Sequence, residues 1–344
     1  MSAGTLKTPQ TPQTPETQPA AAAPPAPPSG ARQVWRRLRA RKSALIAAAV
    51  LALLVVLALA APLLGALEGQ DVNAYHDHLV DSARGGVPLG SYGGVSGDHW
   101  LGVEPGTGRD LFVRLLYGAR VSLAVAAGAT LVQVLIGVAV GLAAGLGNRL
   151  VDSVLSHFSD VMVALPMLVF AIGVTAVVPS SFPRPVLLVI VIGLLAWGGT
   201  ARIVRAQTLT LKKLDYVAAA RLGGASRLRV ARRELLPALA APVITYAAIL
   251  LPTNIVTEAG MSFLGVGVTP PTPSWGQMLS TATTWFRADP MYVLLPALLL
   301  FTTVLAFTVL GDGLRTALDP RAESRLRVGR TGRTARWKRK GTPA

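Results

Sequence analysis

Apolar residues in this chain come in long blocks separated by shorter polar segments. The first block runs from Ser43 to Leu67, and others cover about 119–147, 158–178, 185–204, 238–261 and 291–314. Each reaches the length a helix needs to cross a hydrocarbon core of roughly 30 Å. The pattern predicts an all-α, polytopic membrane helix bundle with six transmembrane helices. The first block has one feature of a signal peptide, since Ala58-Leu59-Ala60 resembles a cleavage site. Its polar lead-in is too long for that role, and its apolar run exceeds the usual ~7–15 residues. Removing that block would leave five spans; seven is the other alternative.

The polar segments divide the chain. Residues 1–42 form a Pro-, Ala- and Thr-rich head, expected to be disordered to residue 31, with a basic flank from Arg32 to Lys42. After the first span, 43–67, comes a polar loop over 68–118 with seven acidic residues and three of the four histidines. A five-helix core follows at 119–314, interrupted by a basic loop at 205–237, and a basic tail covers 315–344.

Composition sharpens this picture. With 344 residues, 51% of them hydrophobic and 15% charged, the chain is too apolar for a soluble domain. A formal charge of +16 could suggest nucleic acid, but the Lys and Arg cluster beside apolar spans, as cytoplasmic membrane flanks do. That clustering puts both termini, the turn at Arg149 and the 205–237 loop on the cytoplasmic side. The absence of cysteine excludes a disulfide framework, a thiolate metal site and a cysteine nucleophile.

Within the spans, Gly137, Gly141 and Gly145 recur every four residues, a small-residue face that lets helix backbones approach closely. Asn254, Thr257, Glu258 and Ser262 are the candidates for a translocation path or bundle interior. Residues 254 and 258 lie one turn apart on a single face, and an ionisable group in a span usually faces an interior or a water-filled path. Glu258 could instead lie at the outer interface, or brace a loop. No catalytic residue is expected: there is no phosphate-binding G-x-x-x-x-G-K-[ST] loop and no hydrolase elbow. His76 and His78 would clip a metal only on an extended strand, so a solvated loop and no metal site are expected.

The 215–237 segment, DYVAAARLGGASRLRVARRELLP, is the least lipid-like part of the core. Tyr216 to Leu222 is good helix material, Gly223-Gly224 should end it, and Pro237 suits the first turn of the next span. A short alanine-faced helix held outside the bilayer can press into a groove of another protein. The expected coupling set is Asp215, Tyr216, Ala218, Ala219, Ala220, Arg221, Gly224, Ala225 and Ser226.

This stretch resembles the EAA loop of ABC-importer permeases: Ala218-Ala219-Ala220, Gly224 and Leu236-Pro237 fall at matching positions, while Ala218 replaces the usual Glu and Glu234 the usual Ile. Further segments resemble dipeptide/oligopeptide permeases of the DppC/OppC type. They include His99-Trp100-Leu101-Gly102, Gly108-Arg109-Asp110, Tyr117 to Leu123, Asp160 with Ala164-Leu165-Pro166, Ala201 to Arg205, Thr257-Glu258-Ala259, Pro273-Ser274-Trp275-Gly276 and Leu310 to Arg315. The resemblance covers roughly 32–321. It implies a type I (MetI-like) permease fold in a bacterial inner membrane, with a homologous DppB/OppB-like permease, two ABC ATPases and an extracytoplasmic substrate-binding protein as partners. ATP and Mg would be used by the ATPases, with no cofactor on this chain. Cargoes of such relatives are di- and oligopeptides, and for some nickel chelates or glutathione. An ion-coupled secondary transporter and a membrane scaffold are the rival classes. The basic tail, Arg325 to Lys340, is expected to meet anionic lipid.

Overall fold

The computed structural model describes residues 31–318; the Pro-rich head and the basic tail read above lie outside them. The first helices are α1 (Ala31–Arg39), α2 (Lys42–Leu59) and α3 (Ala61–Glu68). A loop follows with a two-residue hairpin, β1 (Val80–Asp81) antiparallel to β2 (Val87–Pro88), Val80 facing Pro88. The core comprises α4 (Leu111–Leu146), α5 (Arg149–Ala164), α6 (Met167–Val177), α7 (Arg184–Leu211), α8 (Asp215–Leu222), α9 (Arg227–Val230), α10 (Leu236–Phe263), α11 (Trp275–Ala282) and α12 (Pro290–Leu318). Five helical runs are long and apolar enough to cross a membrane, and α5 with α6 would make a sixth span. Large apolar side chains such as Leu131, Leu135, Leu194 and Phe301 point outward, as they do where lipid is the solvent.

The α4 and α7 pair forms the centre, with α10 packed on α4 and α12, and α2 on α12. Gly137, Gly141 and Gly145 all lie on α4 where it meets α7. A Cβ at Gly137 would sit 2.4 Å from Thr200 Cβ, and one at Gly141 2.6 Å from the Ala201 carbonyl oxygen. At Gly145 the nearest atom would be Thr208 Cγ2 at 2.5 Å. Backbone cannot yield as a side chain tip does, so Gly141→Leu is expected to destabilise by about 1–3 kcal/mol through overpacking. A lowered thermal unfolding midpoint in detergent checks this.

Five boundaries depart from the sequence reading: the 43–67 block divides at Ala60 between α2 and α3, α7 runs on to Leu211 inside the 205–237 segment, and three more differ as follows. The 158–178 block is not one straight helix: the chain turns by 81° between α5 and α6. Leu165 and Pro166 are extended there, because proline disfavours helical geometry in the residue before it and lacks an N–H. The second span begins at Leu111, not after Gly118, because Asp110 caps it: its Oδ1 accepts from the Val113 N–H at 2.8 Å. The fifth span also starts early. Ser226 caps α9, whose last turn runs through a π-turn at Ala231–Leu235 directly into α10. The wider turn lies just before Pro237, where a regular turn would clash.

Candidate functional site

The α8 helix stands apart from the long helices, yet it is anchored. Val217 is fully buried with Val204 of α7, Val230 of α9, Leu235, and Leu239 of α10. Asp215, Tyr216, Ala218, Ala219 and Arg221 are exposed, Ala220 and Ala225 half-buried, and Gly224 and Ser226 exposed. One side of the helix is therefore bolted to the ends of two spans while the alanine side is free. Asp215 sits in the first turn, where a negative charge complements the helix dipole. The Tyr216 phenol is pushed up by partial burial and by the Glu234 charge, so the carboxylate at the usual Ile position acts on the helix it follows.

The helix ends in a Schellman motif. Gly224 adopts φ +78; its N–H donates to Arg221 O at 3.0 Å, and the Ala225 N–H donates to Ala220 O at 3.0 Å. Only glycine enters that left-handed region without steric cost. The turn directs the chain from α8 into the Ser226 cap of α9, so both ends of the α8 segment lead without slack into spans.

The four candidates on α10 separate. Asn254, Glu258 and Ser262 are buried inside the chain. Asn254 Nδ2 donates to Thr130 Oγ1 at 2.8 Å and to Gln133 Oε1 at 3.2 Å, while Gln133 Nε2 donates back to Asn254 Oδ1 at 3.1 Å. Gln133 Nε2 also reaches Ile192 O of α7 at 3.3 Å, so this network ties three spans together. Glu258 Oε1 accepts from Ser262 Oγ at 2.8 Å, and Oε2 has no hydrogen bond among the described residues. This geometry favours the interior reading of Glu258 over the interfacial one. Thr257 instead lies on the open side of α10, lining a cleft of about 550 Å³ with Thr253, and with Thr308 and Asp312 of α12.

The 68–110 loop is mostly exposed but anchored at its C-terminal end. Glu104, 1% exposed, accepts from Arg109 Nε at 2.8 Å, from Arg114 Nε at 2.6 Å and from the Tyr292 hydroxyl at 3.1 Å. Arg114 Nη1 donates to Val72 O at 3.2 Å and Pro271 O at 3.3 Å. His99 Nδ1 donates to Asp110 Oδ2 at 2.8 Å. Paired charges and closing hydrogen bonds make burial of this 104–114 cluster tolerable, while His78 stays exposed and His76 half-buried. His76 and His78 lie at a 3-10 turn, not on a strand, and among the described residues no His, Asp and Glu grouping has metal-site geometry.

Two comparisons with known proteins decide the family. A family model described as "Binding-protein-dependent transport system inner membrane component" matches residues 137–324, more than half of the chain. The chain belongs to this family. A second family model, "N-terminal TM domain of oligopeptide transport permease C", matches residues 29–79. The glutathione transport system permease protein GsiD of Escherichia coli O157:H7 is 37% identical over 289 residues, covering 84% of this chain and 90% of that one. GsiD of Pectobacterium atrosepticum is 36% identical over 293 residues, covering 85% and 92%. Among solved structures, a chain of the inward-facing MetNI methionine ABC transporter aligns with a TM-score of 0.45 and 20% identity, over 60% of this chain and 96% of that one.

This permease is thus a multi-pass inner-membrane protein of the DppC/OppC-like type, and the match places α5 to α12 in the family's shared region. Sequence reasoning missed the Glu104–Arg114 pair and the partners of Asn254. An amide in an apolar block, Gln133, was the available signal for the latter. It also passed over Asp289, buried before α12 with Oδ1 accepting the Met291 N–H at 3.1 Å and Oδ2 unbonded among the described residues. Burial pushes the Asp289 carboxyl up, so the folded state holds its proton to higher pH than the unfolded chain does. That contribution favours the folded state below the unfolded value and is lost as pH rises through the folded one. Asp289→Asn is therefore expected to weaken the dependence of the thermal unfolding midpoint on pH, checked by melting both proteins across the acid range.

Proposed function

We propose that this permease is one of two homologous transmembrane subunits of an ATP-driven importer for short peptides, with α8 as the contact that carries ATPase motion into the bundle. In this reading both termini and α8 face the cytoplasm. Two ABC ATPases using ATP and Mg bind below, a DppB/OppB-like permease completes the path, and an extracytoplasmic binding protein delivers cargo. The carrying observation is α8 itself: a free alanine face on a helix tied through Val217 to α7, α9 and α10. A push on α8 must reach those spans.

The cargo face proposed is the Thr253–Thr257 side of α10 opposite Thr308 and Asp312, where an open, mostly apolar cleft carries these few polar groups. Asn254, Glu258 and Ser262 brace the bundle behind it. GsiD relatives bear a glutathione transport name; glutathione is itself a short peptide, so it belongs to the proposed cargo class beside di- and oligopeptides. Nickel chelates are the alternative cargo.

Uptake by inverted-membrane-free proteoliposomes carrying all subunits tests this. ATP-dependent accumulation of labelled dipeptide or glutathione, insensitive to proton and sodium ionophores, is expected. Uptake that follows an ion gradient without ATP would replace this reading with a secondary transporter.

A further inference from the structure

A cavity of about 590 Å³ opens where α4 and α7 end, beside the turn from α8 to α9, and it is lined by Lys212, Lys213, Arg221 and Arg227. Leu146 and Gly147 close it from the α4 side. No carboxylate lines it. Lys212 Nζ donates to Gly145 O at 2.9 Å, which satisfies a terminal carbonyl of α4 and holds the ammonium in place. Asp152, whose charge acts on Lys212, is already committed to Arg205 through a 2.8 Å bond to Arg205 Nη2. Among the described residues, Lys213, Arg221 and Arg227 make no ion pair.

Four cations around one concave space, three of them unpaired, repel one another unless an anion enters. Guanidinium groups suit phosphate oxygens in a forked geometry, and ammonium groups add point charges. The cavity lies where the apolar block of α4 ends, at Leu146 and Gly147, which on that helix is the depth of lipid headgroups rather than of free cytoplasm. We infer that this pocket holds the phosphate of an anionic phospholipid headgroup, wedged between the span ends and the α8–α9 turn. A lipid there would neutralise the turn and tie the coupling segment to the bilayer surface. The inference needs the α8 side to face the anionic leaflet, but not that α8 meets an ATPase.

The test uses the full-length permease in nanodiscs of phosphatidylcholine with a small fraction of phosphatidylglycerol, and counts lipid retained on gentle delipidation by native mass spectrometry. Lys213→Gln with Arg227→Gln is expected to lower phosphatidylglycerol retention by about tenfold or more, since each juxtamembrane cation contributes severalfold to anionic lipid affinity. Arg229→Gln with Arg232→Gln removes the same charge from exposed positions outside the cavity and should lower retention far less than the pocket variant does. Inorganic phosphate in pure phosphatidylcholine discs tests the other source of the same chemistry. Thermal stabilisation by phosphate at low millimolar concentration, abolished by the pocket variant and without phosphatidylglycerol retention, would overturn the lipid assignment in favour of a soluble anion. Equal loss of lipid in both charge-matched variants would overturn the pocket, as would protection of Lys213 from amine reagents only when ATPases are added.

Discussion

Gly224→Val is expected to leave the permease in the membrane and the ATPases active, while ATP-driven uptake falls by about tenfold. The backbone reason is local. Gly224 sits at φ +78, where an L-residue costs roughly 1–2 kcal/mol and a β-branched one more. A valine there either strains the cap or unwinds it, releasing the bonds from Gly224 N–H to Arg221 O and from Ala225 N–H to Ala220 O. An energy of that size shifts the capped population about 5–30-fold. The α8 helix would then no longer be continuous with α9, and a push on it would be absorbed by the turn. Because a Cβ at Gly224 meets no neighbouring atom within 4 Å, the effect is conformational rather than steric crowding of the bundle. Gly224→Ala should therefore be milder than valine, and Gly223→Ala milder still, since Gly223 has an ordinary φ of −73. Uptake measured against ATP consumed separates this outcome from simple loss of protein; unchanged coupling in the valine variant would remove the turn from the mechanism.

The second large effect is expected at the loop cap. Arg114→Met leaves Glu104 buried with Arg109 as its remaining cation and frees the carbonyls of Val72 and Pro271. Breaking a buried pair by removing one partner costs about 3–5 kcal/mol, more than losing both partners to apolar groups. Arg114→Met should thus markedly lower the thermal midpoint and the yield of monodisperse protein. The double variant, Glu104→Gln with Arg114→Met, should recover part of the loss. An additive double variant would show that the pair is not coupled.

The membrane class and the helix content follow from the long apolar blocks, whose lengths match a bilayer irrespective of packing. The boundaries were less legible, for physical reasons that differ from site to site. Leu165-Pro166 bends a block whose hydropathy is continuous. Asp110 starts a helix inside polar sequence because capping, not hydrophobicity, sets that end. Ser226 and the π-turn do the same for α9 and α10. The glycines of α4 were legible as a spacing, but their partners Thr200, Ala201 and Thr208 lie on another span and required the structure. Glu258 could be read as either interior or interfacial, since depth along a helix does not say which way a side chain points. The Glu104–Arg114 pair, ten residues apart across a loop and a helix start, has no periodic signature at all.

Under the proposed function, force from an ATPase enters this chain at α8. Because the sequence contains no cysteine, Ala219→Cys on the exposed face of α8 gives a single, unambiguous crosslinking site. In the assembled importer, a bifunctional thiol reagent should join residue 219 to an ATPase subunit bearing a cysteine in its docking groove. The yield should change between nucleotide-free and ATP-bound states. Labelling of that cysteine by a membrane-impermeant reagent from the extracytoplasmic side, or no crosslink to an ATPase in a complex that transports, would contradict it.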